Sequence, residues 1–305
     1  MKNKKLMGDA LLLLTAFIWG TAFVFQRAGM ETIEPITFNA ARMFLAAVVV
    51  GFVAFGMGRK EKKDTADKTE KQRDKDCLTG GICCGCVLAI ASILQQTGLV
   101  YTTAGKAGFI TAMYMLLVPV ISFVFLKRKN TWLVWCAVLL GVTGMYFLCI
   151  TEEFRLSRGD TLVGLCALFF SLHILCCDHF AQKADPVRIS AIQFATAALI
   201  SAVAAGIVEE PDIGKLLSAL GAIVYCGIVS GGIGYTLQIT AQKYTEPATA
   251  SLLMSMESVF AVIAGAIVLR EQMSKRELIG CLLMFAAILL VQIREVRTEV
   301  VRTGE

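Results

Sequence analysis

Apolar residues run along this chain in ten blocks, separated by short polar breaks, at 9–27, 35–56, 79–101, 106–126, 131–150, 160–181, 188–208, 216–242, 247–269 and 276–294. Each block matches the roughly 20 residues a helix needs to cross about 30 Å of hydrocarbon. The bilayer core offers no water to stray backbone groups, so each block is expected to be helical. The predicted fold is all-α, a polytopic membrane protein of ten transmembrane helices. The longest polar break, 58–77, reads as a charged, flexible cytoplasmic loop. The run from Asp9 to Gln26 is longer than a signal-peptide core and lacks a small-residue cleavage site, so it reads as a retained span.

The pattern also repeats. LQQTGLVYT at 94–102 returns as LQITAQKYT at 237–245, with five of nine positions identical at an offset of 143. The same offset pairs Ala107 with Ala250, Met113 with Met256 and Leu126 with Leu269, while Gly8–Asp9 echoes Gly159–Asp160. Two five-helix units follow, 1–150 and 151–305, and an odd number of spans makes the second enter the membrane from the opposite side. Inverted 5+5 repeats of this kind belong to alternating-access transporters, with the solute site near the midplane between the halves.

Composition agrees: 56% of residues are hydrophobic and the mean hydropathy is +0.68. The net charge of +5 does not point to nucleic acid, because the basic residues sit in loops beside the spans. With the amino terminus inside, 20 of 29 Lys and Arg fall on inner segments, 8 on outer ones, and Arg42 within a span. That bias puts both termini in the cytoplasm. The 11 cysteines are odd in number and irregularly spaced, which implies no disulfide framework. Cys83, Cys84 and Cys86 read as small packing residues rather than metal ligands. No metal or cofactor is expected.

Glu257 is the most informative polar residue. It lies ten residues after Pro247, hence about 15 Å into its span. An ionisable group at that depth is costly and is a functional-site candidate by default: it can exchange a proton or pair with a cationic solute. The alternative is a neutral Glu bonded to a neighbouring helix. Arg42 can hold a carboxylate or serve as a structural anchor. Gln95 and Gln238 occupy equivalent places in the two halves and either bond across helices or meet a polar solute. Gln96, Gln193, Thr111, Tyr114, Tyr235 and His173 belong with them. Lys106 can attract an anionic group at the outer mouth or mark the interface. Trp19 either fills a packing gap or stacks on a solute. The glycines at 227, 231, 232 and 234 imply close helix packing or a flexible point on the pathway.

These residues resemble the EamA family of the drug/metabolite transporter superfamily. Trp19–Gly20 with Phe23 is similar to its tryptophan–glycine signature, and Pro35, Phe38 and Arg42 to its proline–phenylalanine–arginine spacing. The stretches 104–119 and 244–271 resemble its fourth and ninth helices. Two departures stand out: Ser258 where many members have proline, and Leu126–Lys127–Arg128 where the first half usually ends Leu-x-Glu. The resemblance implies a central cavity lined by spans 1, 3, 4, 6, 8 and 9, where Trp19, Gln95, Tyr114, His173, Gln238 and Glu257 fall. It further implies a bacterial inner-membrane exporter of a small metabolite, amino acid-like or drug-like, with solute and lipid bilayer as partners and a homodimer as a candidate assembly. Proton coupling through Glu257 and uncoupled downhill export are both open. A membrane enzyme built on Asp178 and His179, with His173 nearby, is the competing class; against it, those residues lie near the inner end of one span and no second acidic or metal-ligand cluster joins them.

Overall fold

The computed structural model describes residues 2–61, 68–102, 104–128, 130–149 and 157–268, and 275–276, 278–280, 282–287 and 289–290 of the last helix. All secondary structure among them is helical. The chain runs α1 (Lys2–Gly29), α2 (Pro35–Glu61), α3 (Lys68–Val100), α4 (Ala104–Ala112), α5 (Tyr114–Val124), α6 (Trp132–Cys149), α7 (Arg158–Ala181), α8 (Pro186–Val208), α9 (Ile213–Ser218) and α10 (Leu220–Val224). A π-helix (Tyr225–Tyr235), α11 (Thr236–Ala241), α12 (Pro247–Met254) and α13 (Glu257–Val268) follow. Eight of the helical stretches are long and apolar enough to cross a membrane. Two shorter apolar ones, Trp132–Gly144 and Leu278–Ala287, complete the set among the described residues.

The distribution of side chains is that of a body dissolved in lipid. Phe44, Phe52, Leu139, Leu199 and Val203 are exposed, while Asn39, Arg42, Gln96, Gln193, Ser201 and Glu257 are buried. With hydrocarbon outside, apolar burial drives nothing between helices, and close packing and interhelical hydrogen bonds take its place. Thus α2 lies along α8, α3 against α7 and α8, and α1 against α13 and the π-helix. α4 and α5 pack on α7, and α2 on the π-helix.

Two spans are broken near their middle. Met113 interrupts the helix between α4 and α5, and Ser255–Met256 interrupts it between α12 and α13. The breaks are related by the 143-residue offset between Met113 and Met256. A third irregularity is the π-helix, whose glycines allow close approach. A Cβ at Gly227 would lie 2.9 Å from the carbonyl oxygen of Arg42, and one at Gly234 would lie 2.7 Å from Trp19 Nε1. Close packing therefore accounts for these glycines.

The stretch 58–77 departs from the loop expected of it. α2 continues to Glu61, and α3 already begins at Lys68. Lys, Glu, Gln and Arg are good helix formers once the backbone leaves the bilayer. Gln72 Nε2 bonds Asp76 Oδ1 one turn on at 3.0 Å, and Asp74 Oδ1 holds Arg188 Nη1 at 2.7 Å. High polarity marks where the lipid ends, and does not by itself mark where the helix ends.

Candidate functional site

A narrow cavity of about 30 Å³, room for little more than a water molecule, lies between the helices. α1 contributes Trp19, Phe23 and Gln26; α2 contributes Arg42; α3 contributes Gln95. Thr111 and Tyr114 come from either side of the α4–α5 break, Phe170 from α7, Ser230 and Tyr235 from the π-helix, and Glu257 from the first turn of α13. The wall thus combines aromatic faces with a few polar groups, the usual make-up of a small-molecule site.

Each polar group is positioned by identifiable neighbours. Trp19 stacks obliquely on Tyr235, ring centroids 4.6 Å apart, and its Nε1 donates to the Ser230 carbonyl at 3.2 Å. Gln95 Nε2 donates to Thr111 Oγ1 at 3.2 Å. Arg42 Nε donates to Asn39 Oδ1 at 3.0 Å. Asn39 in turn donates through Nδ2 to Ser92 Oγ (3.0 Å) and Ser201 Oγ (2.9 Å), joining α2, α3 and α8. Glu257 sits where the span restarts after Ser255–Met256, and the Tyr114 hydroxyl faces its carboxylate.

Among the described residues, Gln26 Oε1 and Arg42 Nη2 on this wall are buried without a hydrogen-bond partner, and Tyr114 Oη and Glu257 Oε1, which face each other, make no bond of good geometry. Leaving such an atom unmade costs about 1–3 kcal/mol, more for a charged group. Arg42 and Glu257 form no ion pair with each other among the described residues. A guanidinium and a carboxyl group, the latter faced by the Tyr114 hydroxyl, therefore line one cavity without pairing with each other. A solute carrying both signs of charge can meet them.

Trp19, Gln95, Tyr114, Glu257 and Arg42, singled out from the sequence, are brought together here. His173 and Gln238 lie outside the wall. His173 Nε2 pairs with Gln193 Oε1 at 3.0 Å, and its ring meets Tyr235 edge-on with centroids 5.7 Å apart. Gln238 Nε2 donates to Gln242 Oε1 at 3.3 Å. The side chain of Lys106 lies outside the described residues. Asp178 is held by Arg128 Nη1 at 2.7 Å, and His179 Nε2 meets Lys183 Nζ at 2.7 Å, both away from the cavity. Cys84 and Cys177 pack sulfur to sulfur at 3.8 Å. Asn39 and Gln26 were not singled out from the sequence. A short amide inside an apolar run was the available signal for Asn39, four residues after Pro35 and three before Arg42.

Two further contacts tie the ends of helices together. Thr102 Oγ1, past the end of α3, donates to Asp160 Oδ1 near the start of α7 at 2.9 Å. Thr245 Oγ1, past the end of α11, donates to Asp9 Oδ1 near the start of α1, also at 2.9 Å. α1, α2 and α3, each long and apolar enough to cross a membrane, lie between Asp9 and Thr102 in the chain.

Known proteins share this architecture. A solved crystal structure superposes with a TM-score of 0.75 at 18% identity, covering 95% of this chain and 98% of the other, which establishes the likeness of fold. An uncharacterised transporter of Archaeoglobus fulgidus is 30% identical over 305 residues, 95% of this chain and 87% of that one. A protein of Streptantibioticus cattleyicolor described as a probable terminal-alkyne amino-acid exporter is 20% identical over 294 residues, 93% of this chain and 92% of that one. The profile of the EamA-like transporter family matches residues 6–150 and again 157–293. Multiple membrane-crossing helices around a polar-lined cavity, together with this match over nearly the whole length, make the chain a member of the EamA-like family in the drug/metabolite transporter superfamily, a membrane protein that moves a small solute across the bilayer rather than an enzyme.

Proposed function

We propose that the chain exports an amino acid-like solute by alternating access. The observation that carries this reading is the presence of a guanidinium, Arg42, and a carboxyl group, Glu257, unpaired with each other on one cavity wall. A carboxylate suits the planar guanidinium, whose Nε is already fixed by Asn39. An ammonium suits Glu257. Trp19, Phe23, Phe170 and Tyr235 offer apolar surface for the remainder of the solute. The relative from Streptantibioticus cattleyicolor, named as an amino-acid exporter, gives independent support.

Transport requires two inward- and outward-facing arrangements of similar energy, which duplicated halves supply. Three features support ten spans in an inverted 5+5 arrangement of 1–150 and 151–305. The α4–α5 and α12–α13 breaks share the repeat offset. The helix contacts are reciprocal, with α1 on α13 answered by α7 on α4 and α5. The two Thr–Asp ties are reciprocal as well, each joining the first half to the second. On this reading, the ties at Asp9 and Asp160 close opposite faces and open in turn. The basic-residue bias supports both termini being cytoplasmic, and the family likeness supports the inner (plasma) membrane. Glu257 exchanges a proton during the cycle, coupling export to the proton gradient.

The test is flux in proteoliposomes with labelled amino acids and the matching decarboxylated amines. The parent is expected to move the amino acid in preference to the amine. Arg42→Gln is expected to lower amino-acid flux at least tenfold and erase that preference. Equal transport of both by the parent overturns the assignment of Arg42. Single cysteines in 102–105 and 243–246 test the topology: labelling of both from one side overturns the inverted arrangement.

A further inference from the structure

A second concavity, which shares no lining residue with the solute cavity, lies on the outside of the bundle. It is a groove of about 530 Å³ between α5 and α7, floored by Ile121, Leu168, Leu172 and Leu175. Phe125 and Leu126 at its edge are exposed, so it opens sideways to the surroundings of the bundle. Those surroundings are hydrocarbon, and an apolar slot at that depth is filled by an acyl chain.

One end of the groove is basic. Arg128 and His179 form its rim. Lys183 Nζ donates to His179 Nε2 at 2.7 Å and lies over the Phe180 ring, 5.9 Å from its centroid. Arg128 spends Nη1 on Asp178 Oδ2 at 2.7 Å, yet its side chain remains 46% exposed against 10% for the carboxylate. A guanidinium has five N–H donors, so this bond leaves others for an anion. Asp178 is the carboxylate facing this end, set behind Arg128. Lys127 beside it is exposed. The two halves differ at this end: at the repeat offset of 143, Lys127 corresponds to Arg270, but the position of Arg128 is taken by Glu271.

We propose that this groove binds an anionic phospholipid, with one acyl chain along Leu168, Leu172 and Leu175 and the phosphate on Arg128 and the His179–Lys183 pair. Basic pockets between transmembrane helices take phospholipid headgroups in this way. The occupant is a bilayer lipid rather than a soluble phosphate, because the larger part of the site is apolar and opens to hydrocarbon. The site is independent of the solute cavity and of what that cavity carries.

The experiment is native mass spectrometry of the purified full chain from equal mixtures of phosphatidylglycerol and phosphatidylcholine. The parent is expected to retain one phosphatidylglycerol in preference, about fivefold or more over phosphatidylcholine, the scale set by one basic residue near a membrane surface. Arg128→Gln combined with Asp178→Asn keeps a neutral polar pair and removes the guanidinium from the headgroup site while Lys183 remains, and should lower the preference. Leu172→Trp fills the groove and should lower retention of both lipids. Unfolding temperatures of the variants establish that each is folded, and the double variant tests the headgroup contact even if Leu172→Trp fails to fold. No preference in the parent, or an unchanged preference in the folded double variant, overturns the proposal. So does displacement of the lipid by millimolar glycerol phosphate, which identifies a site for soluble phosphate.

Discussion

Gly20 lies directly against the backbone of Glu257: a Cβ at Gly20 would stand 2.6 Å from the Glu257 carbonyl oxygen and 2.9 Å from the Ala261 nitrogen. The absence of a side chain at Gly20 therefore sets how closely α1 approaches the helix that carries the buried carboxylate. Trp19, its neighbour, turns to the other wall and bonds the Ser230 carbonyl. The tryptophan–glycine pair thus holds α1 between α13 and the π-helix.

Gly20→Ala is expected to destabilise the protein by about 1–3 kcal/mol, the usual cost of overpacking. Here the neighbours are two backbone atoms and the Phe260 Cβ, 2.6 Å away, none of which can swing aside. Solute flux should fall more than tenfold with it. Gly206→Ala is the control, because a Cβ there meets nothing within 4 Å. Thermal unfolding of the purified proteins separates the two: Gly206→Ala should match the parent or exceed it slightly, as alanine is the better helix former.

Asn39 holds Arg42 in place and is satisfied on all sides, by Ser92, Ser201 and Arg42 itself. Asn39→Ala leaves Arg42 Nε without its partner, at a cost of about 1–3 kcal/mol in stability. In flux assays the effect should fall on KM for carboxylate-bearing solutes, which should rise about tenfold or more as the guanidinium loses its fixed orientation. Arg42→Lys should not restore binding, because one ammonium lacks the planar fork that bonds Asn39 and a carboxylate together. Parent-like KM in Asn39→Ala would remove it from a positioning role.

Glu257→Gln separates coupled from downhill export. If Glu257 carries the proton, an imposed pH gradient should drive solute accumulation in parent proteoliposomes and not in the variant. Solute exchange without a gradient should persist in the variant, reduced by the lost pairing with the ammonium. Parent transport that ignores the gradient would assign downhill export instead.

The Thr–Asp ties predict opposite effects from equivalent substitutions. A hydrogen bond to a charged acceptor contributes about 1.5–3 kcal/mol, enough to shift a two-state equilibrium tenfold or more. Thr102→Val should favour opening at the Asp160 end, and Thr245→Val at the Asp9 end. A single cysteine at Gln26, in a background without the native cysteines, reports this by its labelling rate from each side. Equal changes from both sides in both variants would show that the ties do not gate.

The sequence alone determines the solvent, and with it most of the fold. Ten apolar blocks leave helices as the structure that satisfies every backbone group in lipid, and their 143-residue repeat announces the duplication. It also draws attention to Glu257 and Arg42, because an ionisable group at membrane depth is costly, and leaves each open to a functional or a structural reading. What the sequence does not decide is which polar side chains share a space. Gln95 and Gln238 are equivalent in the repeat, yet Gln95 reaches the cavity and Gln238 is turned to Gln242. His173 is spent on Gln193, and the charged stretch 58–77 is largely drawn into helices. Periodicity assigns a residue to a helix face, but the facing surface comes from helices far away in the chain, as in the bond from Asn39 to Ser201 across 162 residues. Close approach at Gly20 and Gly234, and the reach of Asn39 to α3 and α8, set those rotations, and only the assembled bundle makes them visible.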